Sequence, residues 1–434
     1  MRAREHFRMT PAGQRQQEDG STPSGLGPQV PLWVLALSTT LGMQVVVSFL
    51  DQSLPIIAPL LTASAGLAPE RIGNISSLSA LGVILFLVFG GPILARLGPV
   101  RMLQVGALMA VGGLAIAATG WWPLLAIAAV MMGLGYGPTP PAGNRILAAT
   151  VPARHRSLIF SIKQAGAPLG GALAGLVLAP AAAAWGWPAA LAISVSVGVL
   201  AAAAIAPTAR RLNVEREPDR PIGLSALFNP RSVAAPFLLL KERSALLTVT
   251  GLAFSFAAVQ GSLFSFSVTY LTLDRHMPLA QAGLAYAAMQ FSGVFARVFL
   301  GWLADRTGRP SLNLTVQAFL AAAILVGYGF LPEQVPLLTA ALVCGATGFF
   351  AASWNGIYMA EVVRLSPAAL IAETTSSSTV MVFLGYVAGP TVFSLLVSWS
   401  GSYRLSFLVI AAQLALMAAV QLALVSRPFR AAPG

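Results

Sequence analysis

"ARVFLGWLADRTGRP", residues 296–310, carries two kinds of charge. Asp305, Arg306 and Arg309 close an apolar run, as they would where a helix reaches water. Arg297 does not fit that reading. It lies eight residues further in, about 12 Å at ~1.5 Å per residue. If this helix crosses a bilayer, a guanidinium near the centre costs at least about 2.5–3.5 kcal/mol and must face a partner or a watery cavity.

Composition says that the helix does cross one. Of 434 residues, 56% are hydrophobic and 9% charged, against about 25% charged in soluble domains. The net charge of +12 does not indicate nucleic acid, because the cations fall between long apolar runs and not on a soluble face. Cys344 is the only cysteine and stands in an apolar run, so neither an internal disulfide nor a cysteine metal site is available. His6, His155 and His276 lie outside the apolar runs. A GxxxxGK[ST] phosphate loop does not occur, which excludes ATP hydrolysis within this chain. No cofactor or metal is expected.

About 20 apolar residues cross a hydrocarbon core. Twelve spans are expected, at 31–62, 72–95, 100–120, 122–150, 157–182 and 187–208, then at 243–272, 280–304, 312–331, 334–363, 371–398 and 402–426. The division is therefore a polar tail (1–30), a first six-helix bundle (31–208), a polar connection (209–242), a second bundle (243–426) and a short tail (427–434). The first 30 residues are expected to be disordered, and the stretch after them is too long for a signal peptide. Cations concentrate in alternate loops, and the other set holds only Arg71, Arg275 and Arg404. The positive-inside rule then places both termini in the cytoplasm.

The opening stretch also has a repeat. "GPILARLGP" (91–99) aligns with "GWLADRTGR" (301–309): Gly91 matches Gly301, Arg96 matches Arg306, and Gly98 matches Gly308. Each copy follows the second span of its half, the pattern of two parallel six-helix repeats. Here the sequence resembles the major facilitator superfamily, whose loop signature is roughly G-x-x-x-D-R-x-G-R-R. The second copy matches well, whereas the first has Ala95 where the aspartate belongs. The resemblance implies an all-α membrane fold of twelve helices in two pseudo-symmetric bundles, working as a secondary transporter. It also implies that Asp305 meets the N-terminal end of a helix in the other half, closing the cytoplasmic side, with Arg306 and Arg309 pairing with an acid such as Glu361. The plainer alternative is a charged loop that only sets topology.

Three cations fall within spans, namely Arg145, Lys163 and Arg297. Asn144 and Gln164 adjoin the first two, Trp354 and Asn355 stand in the tenth span, and Gln290 and Gln260 lie in the eighth and seventh. A cluster of amides and cations on one cavity suits an anion, and arginine grips carboxylates in bidentate fashion. The spacing from Arg297 to Arg306 resembles the eighth span of monocarboxylate and oxalate-type members, which implies that Arg297 contacts a substrate carboxylate. Residues 143–175 resemble cyanate and organic-anion permeases. Those monocarboxylate members place a lysine in the first span, where this chain has "FLDQSLP", with Asp51 and Gln52. Asp51 is a candidate proton site, since burial favours the protonated form. The alternative is a hydrated carboxylate at a helix break before Pro55, or one paired with Arg71.

"QAGAPLGGALAG" (164–175) reads mainly as close helix packing. It partly resembles a drug/proton antiporter signature, which keeps efflux open as a rival. Trp121, Trp122, Trp185 and Trp187 read as interfacial anchors. The expectation is a monomeric, multi-pass protein of the bacterial inner membrane. It moves a small organic anion, a carboxylate, by alternating access with proton symport, and it is not an enzyme.

Overall fold

The computed structural model describes residues 31–152, 155–213, 216–221, 244–367 and 370–425. The expected tails and most of the central connection, including Arg231 and Lys241, lie outside the described residues. Twelve helices are long and apolar enough to cross a membrane. In the first half they are α1 (Leu32–Ser64), α2 (Arg71–Phe89), α3 (Pro99–Ala117), α4 (Trp122–Thr150), α5 (Leu158–Trp185) and α6 (Trp187–Leu212). The second half has α7 (Ala245–Asp274), α8 (Leu279–Thr307), α9 (Pro310–Gly329), α10 (Leu337–Leu365), α11 (Thr374–Ser400) and α12 (Tyr403–Leu424).

Within the halves α3 and α2 pack on α4, α7 on α11, α8 on α10 and α9 on α12. Between lipid-soluble helices burial from water gives no drive, so close approach of small residues does the work. Carbonyl oxygens fill the space that a side chain would take. A Cβ on Gly133 would stand 1.8 Å from the Ser79 carbonyl oxygen, and one on Gly348 would stand 1.9 Å from that of Met289. The halves meet through α2 with α11, α5 with α8, and the second part of α1 with α7. Gly175 of α5 and Gly283 of α8 press backbone to backbone there.

Apart from α6, which passes through a 3-10 turn (Ala206–Thr208) near its end, four spans are interrupted. α1 breaks at Gln52, α4 between Tyr136 and Thr139, α5 at Ala165, and α10 between Ala351 and Asn355. Three of these breaks have a proline on their C-terminal side: Pro55, Pro138 and Pro168. Proline has no N–H, so the carbonyl four residues earlier loses its helical donor. Pro168 thus leaves the carbonyl of Gln164 without one, at membrane depth where an unsatisfied polar group is costly.

The two loop motifs turn as their glycines require. Gly98 and Gly308 have φ of 83° and 63°, a region open to glycine and strained for other residues. These two loops mark the motif face of the molecule. At the opposite face Trp121 and Trp185 are exposed, as anchors would be, whereas Trp122 packs inward under the Arg71 guanidinium at 4.9 Å.

If backbone contact sets the α2–α4 spacing, Gly133→Ala should destabilise by about 1–3 kcal/mol or more, the usual cost of overpacking. Gly327→Ala, with nothing within 4 Å of its Cβ, should leave the melting temperature unchanged. Thermal unfolding of the detergent-solubilised variants checks this.

Candidate functional site

Arg297 is where the two halves and two of the helix breaks meet. Its Nη1 donates to the Gln164 carbonyl oxygen at 2.8 Å, and its Nη2 donates to that of Ala352 at 3.3 Å. The first acceptor is the carbonyl orphaned by Pro168. The second caps the first segment of α10. Both lie at C-terminal helix ends, where the partial charge is negative. Backbone oxygens therefore hold the guanidinium, and among the described residues no acid lies within ion-pair distance. Its Nε is buried and has no hydrogen-bond partner.

Two tyrosines flank this point. Tyr136 closes the first segment of α4, and its oxygen accepts from Gln44 Nε2 at 3.2 Å. Tyr386 of α11 packs on Gly261 of α7, its ring 3.1 Å from where a Cβ there would stand. Both lie within electrostatic reach of Arg297 and of Asp51. Neither tyrosine follows from the reading of the spans, because a lone tyrosine in an apolar run looks like core. The Gly137–Pro138 step beside Tyr136 was the available signal.

Asp51 stands at the α1 break. Ser79 Oγ donates to it at 3.0 Å and Gln52 Nε2 at 3.2 Å. Arg71 is not its partner, being stacked on Trp122. Gln52 in turn accepts from the Tyr286 hydroxyl, and Gln290 Nε2 donates to that hydroxyl at 2.7 Å. A polar chain thus runs from Asp51 in the first half to α8 in the second. Gln260 accepts from Trp354 Nε1 at 2.9 Å, and that indole is fully buried and stacked on Phe256. Gln290, Gln260 and Trp354 are thus buried and each hydrogen-bonded to another side chain.

The three intramembrane cations differ in their surroundings. Lys163 is 1% exposed, its Nζ has no partner, and Cε lies 2.9 Å from where a Gly143 Cβ would be. The helix rotation that offers the Gln164 carbonyl to Arg297 turns the Lys163 side chain into the first bundle, toward Gly143 and Thr40. Arg145 is half-buried and within electrostatic reach of Glu217 in the segment that follows α6. The exposed side chains of Asn144 and Gln164 are consistent with a water-facing position.

At the motif face Asp305, Arg306, Arg309 and Arg96 are exposed, and a Cβ on Gly91, Gly301 or Gly308 would meet nothing within 4 Å. Asp305 meets no helix end among the described residues. Arg306 lies over the Trp302 ring at 5.6 Å. Glu361, fully buried, is bound by Arg364 at 2.6 Å and by the Ser311 hydroxyl, so neither Arg306 nor Arg309 is its partner. In the first copy, where Ala95 replaces the aspartate, Asn213 Oδ1 accepts from the Val100 N–H at 2.8 Å and the Glu217 N–H donates to the Ala95 carbonyl. The Arg220 guanidinium hydrogen-bonded to Glu217 holds that exposed carboxyl below the usual carboxylate range.

The cross-half hydrogen bonds lie at the other end. Ser77 donates to the Val387 carbonyl and accepts from Thr391, and Ser394 donates to the Glu70 carbonyl. Of the cross-half bonds among the described residues, Arg297 to Gln164 is the one nearest the motif face.

A buried ammonium without a hydrogen-bond partner is a net cost to the fold. Lys163→Met, of similar volume, should melt at or above the wild-type temperature and should keep transport within about twofold. Loss of transport in a stable Lys163→Met protein would return the lysine to the substrate path.

The architecture has relatives. A hexuronate transporter of Bacillus subtilis (strain 168) is 23% identical over 409 residues, covering 89% of this chain and 93% of that protein. A probable sulfoacetate transporter of Cupriavidus necator is 25% identical over 380 residues, covering 84% and 87%. Among solved structures, a POT peptide transporter in complex with sulfate superposes with a TM-score of 0.73 at 15% identity, covering 93% of this chain and 96% of that one. A bacterial homologue of the human lysosomal transporter Spinster gives 0.71 at 16%, covering 93% and 100%. At that identity the structures speak for the fold alone. The Major Facilitator Superfamily model matches residues 33–390. With twelve spans, paired loop motifs and a polar site between two six-helix halves, the chain belongs to that superfamily of multi-pass membrane transporters.

Proposed function

We propose that this protein carries a small organic anion, with a carboxylate or sulfonate group, across the bacterial inner membrane by alternating access. The observation that carries the reading is Arg297, a guanidinium between the halves held by neutral carbonyls, with no acid partner among the described residues. A carboxylate or sulfonate offers the guanidinium a full opposite charge and paired oxygens for a bidentate contact, which a single peptide oxygen does not. An arriving anion therefore displaces the Gln164 carbonyl, and with it a bond that joins the halves. The named substrates of the two relatives, a hexuronate and sulfoacetate, are both such anions.

The motif face is cytoplasmic on this reading, because the cation-rich loops lie there. The hydrogen bonds between the halves close the other side, so the site opens toward the cytoplasm. Asp51 takes the coupling proton. It sits at a break in α1, and through Gln52 and Tyr286 it touches the helix that bears Arg297.

Uptake of labelled glucuronate and sulfoacetate into proteoliposomes tests the site. Arg297→Ala should lower kcat/KM by about 100-fold, the loss of two charge-assisted hydrogen bonds. Arg297→Lys should lower it by about 10-fold, since an ammonium lacks the planar fork. Unchanged saturable uptake in Arg297→Ala, or transport of cationic drugs alone, contradicts the reading.

Coupling has its own test. An inward proton gradient should accelerate wild-type uptake but not that of Asp51→Asn, which should still exchange substrate across equal pH. Gradient-driven accumulation by Asp51→Asn would remove the carboxylate from the proton path.

A further inference from the structure

The hydrogen bonds that run from Asp51 into the second half have a direction, and the charge on Asp51 sets it. An ionised carboxylate only accepts. Gln52 therefore turns its Nε2 to Asp51, at 3.2 Å, and offers its Oε1 to the Tyr286 hydroxyl. Having given its hydrogen to Gln52, Tyr286 accepts from Gln290, whose Nε2 donates to it at 2.7 Å. Each orientation follows from the one before it. The chain ends on Gln290 Oε1, which is buried and has no hydrogen-bond partner. Buried polar atoms are nearly always paired, so an idle one at this end calls for an account.

A protonated carboxyl donates, and every bond in the chain can then reverse. The Asp51 O–H goes to Gln52 Oε1, Gln52 Nε2 to the Tyr286 oxygen, and the Tyr286 O–H to Gln290 Oε1. Asp51 takes one proton from water, and no other O–H or N–H bond breaks, because the amides turn over and the phenol O–H rotates. The number of hydrogen bonds is unchanged, but the idle atom is now Gln290 Nε2. Gln290 lies seven residues from Arg297 on α8, close to two turns, and therefore on the same face. Its amide also reaches the first half, where a Cβ on Gly171 of α5 would stand 2.2 Å from Nε2.

The surroundings leave Asp51 to set the direction. α2 brings the Ser79 hydroxyl, α4 the Tyr136 phenol, and α8 and α11 the phenols of Tyr286 and Tyr386. α5 carries Lys163 against Gly143, and α6 and α7 have titratable groups only near their ends. Among the described residues no cation is paired with Asp51.

We infer that Gln52, Tyr286 and Gln290 form a reversible relay from the proton site to the anion site. Ionised Asp51 leaves an idle acceptor on the Arg297 face of α8, and protonated Asp51 leaves an idle donor there, which an anion can use. This rests on the readings of Asp51 as the proton site and of Arg297 as the anion site.

Calorimetric titration of the purified full-length protein with sodium glucuronate tests it, between about pH 5 and about pH 8, where a free carboxylic acid stays ionised. The wild type should bind about 10-fold more tightly at the acid end, the gain of one hydrogen bond to a charged group. Asp51→Asn should lose that dependence. Tyr286→Phe cuts the relay but keeps Asp51, Ser79 and Arg297, and its affinity should vary by less than about twofold across the range. Gln52→Met, which cuts the chain one bond earlier, should behave alike. If either variant keeps the wild-type dependence while Asp51→Asn loses it, the relay is overturned and the proton reading stands. Loss of binding at every pH in both variants also overturns it, since the side chains then only hold the site together. If Asp51→Asn keeps the dependence, or the wild type has none, the proton reading fails and the relay with it. If the wild type binds at no pH, the anion reading fails, and so does the relay.

Discussion

A missing N–H at Pro168 sets the terms for the centre of this molecule. It leaves the Gln164 carbonyl without its helical partner within a span, where lipid will not satisfy it. Arg297 has the opposite problem, a permanent charge where charge is expensive. One bond of 2.8 Å from the second half to the first relieves both. The second donor, on the Ala352 carbonyl, ties the same guanidinium to the break in α10. The result is a cation that is held by backbone oxygens yet not neutralised, which leaves its charge for an anion.

The rest of the interface is consistent with a contact that must be broken and remade. At the face away from the loop motifs the halves are joined by single hydroxyl bonds and by glycine backbones in contact, all neutral. At the motif face the charged loops stand apart. The buried Glu361 is bound within its own half, and Asn213 supplies the first copy with a polar oxygen near the place where Ala95 offers none. Neutral contacts of this size are cheap to exchange, whereas a buried ion pair between the halves would cost several kcal/mol to separate.

The fold could be read from the sequence because hydropathy and length act along the chain. Twelve apolar runs, two glycine-terminated loops and the depth of Arg297 needed no knowledge of helix rotation. The site needed that knowledge. In water an apolar stripe tells which face of a helix points inward, but in a membrane both faces are apolar and the pattern is nearly silent. Lys163 and Gln164 are neighbours, and the rotation that delivers the Gln164 carbonyl to the interface sends the Lys163 ammonium into the first bundle. Gln290 and Gln260 were visible as polar groups in spans, but not as residues already paired with Tyr286 and Trp354. Tyr136 was hidden for the reverse reason, since a phenol in an apolar run passes for core until its oxygen is seen to accept from Gln44. The proline four residues after Gln164 was the one local clue to a free carbonyl.

Exchange of partners at Arg297 is the central step of the proposed transport, and a structure of the protein saturated with glucuronate examines it directly. It should show the carboxylate on the guanidinium, with the Gln164 carbonyl moved beyond hydrogen-bond distance of Nη1. Ligand density elsewhere, with the 2.8 Å contact intact, would contradict it.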